Sequence, residues 1–149
     1  MFITGCLCPS IDTYNKETSD EKTDILSLNI MNQKLKLNNP IQPSDLDRTH
    51  RLGKPKQTGS DHTTRPRPII VKFISYAKRS DVFRNKRFLK GTGTTISENL
   101  TVVRSGLLKA AQSKQSVANA WSMDGRIICL LNNGKRFTIT NDEHLKRIE

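Results

Sequence analysis

The sequence predicts a mixed α+β chain in two parts, and three observations carry that reading. Residues 69–74 (IIVKFI) are a β-branched run suited to a buried strand. Stretches with helical spacing stand on either side of it, over residues 24–35 and 76–89. Two turn dipeptides, Asp124-Gly125 and Asn133-Gly134, punctuate the apolar stretch 120–139.

Taken in order, residues 2–5 (FITG) read as a short first strand, broken by Gly5 and Pro9. A strand this close to residue 1 suggests a fragment of a longer chain. Residues 10–22 read as a polar, acidic loop. Ile25, Leu28, Met31 and Leu35 then recur at helical spacing, with Thr23 or Asp24 as cap and Asn38-Asn39-Pro40 as stop. Residues 44–52 (SDLDRTHRL) read as the second strand, and residues 53–68 as a long cationic loop. After the strand at 69–74, the basic helix 76–89 offers Val82, Phe83 and Phe88 to a core and stops at Lys90-Gly91-Thr92-Gly93. Residues 94–100 supply a fourth strand. The order strand–helix–strand–strand–helix–strand is ferredoxin-like, the split βαβ arrangement that RNA-recognition motifs share. It predicts an RNA-recognition-motif-like domain over residues 1–100.

Residues 101–149 read as a small α/β C-terminal subdomain. Its helix, over 101–114, can line one face with Val103, Leu107, Ala110 and Ala111. Strands follow, and both turn dipeptides suit type I′ geometry because each tolerates positive φ. Asn141 can cap a last short helix, while Trp121, Ile127, Leu130 and Phe137 would supply the core.

Charge points to a partner class. The 149 residues carry 25 Lys and Arg against 14 Asp and Glu, a net charge of +11. Residues 1–47 hold four Lys and seven acids, net −3, so the remaining 102 residues are net +14. Residues 48–90 alone hold 13 basic groups against Asp61 and Asp81. Cationic charge concentrated in this way is an electrostatic footprint for phosphate.

Other classes find little support. Cys6, Cys8 and Cys129 make no disulfide framework, and the Cys6-x-Cys8 pair has no second ligand pair nearby for zinc. Cys129 sits in an apolar run and reads as a small core residue. Free thiols fit a reducing compartment. The apolar opening is too short for a secretory signal, and no apolar stretch approaches a membrane span. The chain is therefore expected to be soluble and intracellular. Phosphate-loop and nucleophile-elbow motifs are absent, so neither enzymatic activity nor a cofactor is expected. Asp45-x-Asp47 on a strand would point both carboxylates to one face, as in some metal-dependent nucleases, but the basic stretch that follows holds few further acids.

Several motifs carry a family resemblance. DRTHRLG, RPRPIIVKF, the basic helix, GTGTTISENL and AWSMDGRI together resemble the RNA-binding proteins encoded by the first open reading frame of LINE-type (non-LTR) retrotransposons. A related pattern occurs in the few-polyhedra protein of baculoviruses. The resemblance covers nearly the whole chain. It implies a recognition-motif domain and a C-terminal domain that jointly grip single-stranded RNA, acting in ribonucleoprotein particles of the cytoplasm or the nucleus. It also implies a trimerising coiled coil upstream and nucleic-acid chaperone activity. This chain has no coiled-coil heptads, so a homotrimer is expected only if such a segment precedes it. Thr95 stands where some relatives carry an arginine.

Strand alternation directs Val71 and Phe73 to the core and Ile70, Lys72 and Ile74 outward; the opposite register would expose Phe73. In the first register the sheet offers no aromatic for base stacking, so phosphate contacts should dominate. The candidate contacts are Arg48, Arg51, Arg65, Arg67, Lys72, Arg79, Arg84 and Arg87. Arg104 joins them because it matches a family position near the domain junction. Arg79, Lys86 and Arg87 could equally be displayed to water by a helix beneath the sheet. His50 and Trp121 could each stack a base or serve the core. The expected partner is single-stranded RNA, or single-stranded DNA, with no membrane and no metal. The rival reading is a protein-interaction or structural module of the viral few-polyhedra type.

Overall fold

The computed structural model describes residues 9–12, 20–54 and 66–148. They form a mixed α+β structure of small antiparallel sheets, divided into two compact units at Ser97/Glu98. The expected strand at residues 2–5, Cys6, Cys8 and Arg65 lie outside the described residues.

In the N-terminal unit the elements run β1 (Pro9–Asp12), α1 (Thr23–Lys34), β2 (Leu46–Arg51), β3 (Ile69–Phe73), α2 (Tyr76–Asn85) and β4 (Thr95–Glu98). The sheet order is β2-β3-β1-β4, with β3 antiparallel to both neighbours. β1 corrects the expected loop at residues 10–22. Its buried Ile11 stands opposite Ile69, and one apolar residue among polar ones gives no alternation to read. Pro9 begins the strand, a position that tolerates a missing N–H.

The core joins Ile11, Ile69, Val71 and Ile96 of the sheet to Ile30, Met31 and Leu35 of α1 and its end, and to Val82 and Leu89. Phe73 packs against this cluster, as the first register requires. Ile70, on the opposite face, is nevertheless 6% exposed rather than open to solvent. The buried stripe of α1 is Ser27, Ile30 and Met31, and Ile25 is exposed. Ser27 can be buried because its hydroxyl donates to the Thr23 carbonyl at 2.6 Å. α2 is shorter than expected, since residues Lys86–Leu89 tighten into a 3₁₀ turn. A second 3₁₀ turn, Pro43–Asp45, precedes β2. In it the Asp45 carboxylate accepts the Gln42 N–H at 2.8 Å.

In the C-terminal unit, α3 (Val102–Gln112) packs on a three-stranded sheet, β5 (Val117–Met123), β6 (Arg126–Leu131) and β7 (Arg136–Ile139), followed by α4 (Asp142–Lys146). Thr101 caps α3 by accepting the Arg104 N–H, and Asn141 caps α4 by accepting the His144 N–H. Leu107 and Ala111 are buried with Ala120, Ile127, Cys129 and Ile139. Val103 and Ala110 turn outward instead. Asp124 (φ 50°) and Gly125 (φ 72°) have the paired positive φ of a type I′ turn. At the next hairpin only Gly134 (φ 79°) does, because Leu131 and Lys135 pair around a three-residue loop that ends on that glycine. Trp121 and Leu130 are half-buried outside the core cluster. They sit opposite Ile128 and Asn119, on the sheet face turned away from Ile127 and Cys129.

Candidate nucleic-acid interface

A side chain can neutralise a phosphate only if its charge reaches solvent and is not already satisfied within the protein. Several expected contacts fail that criterion. Arg51 ends β2 beside the buried Ile69, and its side chain is 6% exposed. Its Nε and Nη2 grip both oxygens of Glu21 at 2.9 and 2.6 Å, and Nη1 donates to the Arg67 carbonyl. Arg67 in turn donates to the Gly53 carbonyl. These two arginines close the neck of the loop between β2 and β3. Arg79 is 8% exposed, with its guanidinium 4.7 Å from the Phe83 ring centre and 5.8 Å from that of Tyr76.

On the open face of the sheet, Arg48, His50, Ile70 and Lys72 stand together in register. Lys72 pairs with Asp47 at 2.5 Å, and this bond is the main reason the Asp47 carboxyl is held below its usual range. Arg48 is exposed and His50 stands beside it on the same strand, so His50 serves no core. Among the described residues no Phe, Tyr or Trp lies on this face. A shallow depression of about 430 Å³ between the start of α1 and β2 includes Glu21, Asp24, Asp47, Lys22 and Arg48 in its lining. Three carboxylates against two cations make it a poor seat for phosphate.

The helical layer is different. Arg84, Arg87 and Lys90 are exposed along α2 and the 3₁₀ turn after it. Lys36, just past the end of α1, brings its ammonium to 5.0 Å from the Phe88 ring centre, and the Arg87 guanidinium lies 5.1 Å from the same ring. Lys34 donates to Thr94 Oγ1 at 2.8 Å in the segment that follows. Two stretches fifty residues apart in sequence therefore bring cations to one half-buried ring. Cation–π attraction offsets part of the mutual repulsion of the two charges.

In the C-terminal unit, Arg104 is half-buried and its Nη1 is shielded from solvent without a hydrogen-bond partner. Among the described residues no group of three or more His, Cys, Asp or Glu could hold a metal ion, and no helix is long and apolar enough to cross a membrane.

The structure thus brings Arg84 and Arg87 of the expected set together and adds Lys36 and Lys90, which sequence reasoning missed. Lys36 carries no local signal, since its place beside Phe88 depends on how α1 packs. In comparisons with known proteins, no family model matches the chain and no curated protein matches it.

Proposed function

We propose that this chain binds single-stranded nucleic acid, RNA above all, through phosphate contacts, and that it catalyses no reaction. The carrying observation is the convergence of Lys36 and Arg87 on Phe88, with Arg84 and Lys90 exposed beside them. We read the N-terminal unit as ferredoxin-like. Its βαββαβ order and its β2-β3-β1-β4 sheet support that reading. The motif resemblance supports a setting in the packaging of retroelement RNA.

Four phosphate contacts on a single strand give log K against log salt a slope of about −3. Fluorescence anisotropy with a labelled single-stranded RNA, titrated at several salt concentrations, tests this. Changing Lys36, Arg84, Arg87 and Lys90 to Gln should remove most of the slope, while Arg48→Gln should leave most of it. Absence of binding at low salt, or an unchanged slope in the fourfold variant, refutes the proposal. Val102 and Val103 are 90% and 72% exposed at the start of α3, which favours a protein-binding surface as the second reading. A partner that stays bound at high salt would support it.

A further inference from the structure

α2 carries a second kind of group beside its cations. Tyr76, its first residue, is 63% exposed, and Ile74, two positions earlier, is 67% exposed. Every other Phe, Tyr or Trp among the described residues is less exposed. The Tyr76 ring is nevertheless anchored at one side. The buried Arg79 guanidinium lies between it and Phe83, and Lys86 approaches Phe83 from further along at 5.1 Å.

One fixed guanidinium touching both rings places Tyr76 and Phe83, seven residues apart, on one flank of the helix. Arg84 is eight residues from Tyr76, so helical spacing puts it along the same flank, about 12 Å away at 1.5 Å per residue. Arg87 stands just beyond it in the 3₁₀ turn. An exposed ring therefore precedes two exposed guanidiniums along one helix, off the sheet.

We propose that Tyr76 is a base-stacking position, taking a nucleobase of the same strand whose phosphates meet Arg84 and Arg87. This rests on the nucleic-acid reading above and deepens it. Phosphate contacts alone accept any flexible polyanion, whereas an aromatic platform distinguishes a strand that carries bases. The contact with Arg79 restrains the ring before binding, so less side-chain freedom is lost when a base covers it. Stacking of this kind is tolerant of sequence because every base offers a π-face.

The test compares wild type, Tyr76→Ala and Tyr76→Phe on two labelled probes of equal length, a single-stranded oligouridylate and an abasic phosphodiester oligomer. Tyr76→Ala should weaken oligouridylate binding on the order of 5- to 150-fold, from the usual range for one stacked base. It should leave the salt slope and the abasic affinity unchanged. Tyr76→Phe should bind like wild type, because it keeps the ring. If wild type binds both probes and Tyr76→Ala loses nothing, or loses equally on both, the stacking inference fails and the phosphate reading stands. If wild type binds neither probe at low salt, both fail.

Discussion

Replacing Arg51 with Ala tests whether this arginine belongs to the fold or to the binding surface. In the structure its guanidinium satisfies both oxygens of Glu21 and the Arg67 carbonyl, with side-chain exposures of 6% for Arg51 and 12% for Glu21. Truncation leaves a largely buried carboxylate without its counter-ion, a loss of about 3 kcal/mol at the lower end of the range for broken buried pairs. The stranded carbonyl adds about 1 kcal/mol. With an ordinary urea dependence for a small domain, the unfolding midpoint should fall by about 1–4 M. Glu21→Leu combined with Arg51→Met should recover most of that loss, since apolar replacement of a whole buried pair is often near neutral. The assay is equilibrium urea unfolding of wild type, Arg51→Ala and the double variant, followed by RNA anisotropy under conditions where each is folded. Folded Arg51→Ala should keep the wild-type salt slope. A loss below about 1 kcal/mol, together with a slope reduced as much as in Arg84→Gln, would refute the structural assignment.

Three further outcomes follow from local geometry. Gly125→Ala should cost about 1–2 kcal/mol in thermal or urea unfolding, because the left-handed conformation at φ 72° is unfavourable for a residue with a Cβ. Cys129 is fully buried and its thiol is pushed up by desolvation, so in a Cys6→Ser/Cys8→Ser variant Ellman's reagent should label it only on unfolding; rapid labelling of that native variant would contradict the core assignment. The Asp45 carboxyl is held below its ordinary value, first by the Gln42 N–H and then by Lys78, with desolvation opposing. A lowered folded-state value means stabilisation that is present above the ordinary carboxylate range and lost as pH falls through the lowered one. Asp45→Asn should therefore flatten the acid limb of a pH–stability curve, and an unchanged limb would remove Asp45 from that account.

The order of elements from α1 onward was legible because each carries its own signal. β3 announces itself by β-branching, α3 by the spacing of Leu107 and Ala111, α4 by Asn141 at its cap, and the first hairpin by Asp124-Gly125. What stayed hidden needed a partner from elsewhere in the chain. β1 is a strand because Ile11 finds Ile69, and its own polar sequence says nothing of that. The outward turn of Ile25 and Val103 escaped a periodicity argument because neighbouring apolar residues fit an alternative stripe equally well. Trp121 was drawn toward the core by its size, yet the pairing of Ala120 with Cys129 commits the other face of β5 to burial.

The same distinction governs the binding surface. A count of cations measures the field that attracts a polyanion at a distance, but only cations not committed to the protein can replace counter-ions at a phosphate. Arg51 and Arg67 are held by Glu21 and by backbone carbonyls, Arg79 is buried at 8% exposure, and Lys72 is paired with Asp47. The nine cations named from sequence would give a slope of about −6 on a single strand if each met a phosphate, whereas the four on the helical layer give about −3. A measured slope near −6, with Arg51→Ala weakening binding as much as Arg84→Gln does, would mean that strand binding breaks these internal bonds. A slope near −3 that vanishes with Lys36, Arg84, Arg87 and Lys90 would locate the strand on α2 and the turn after it.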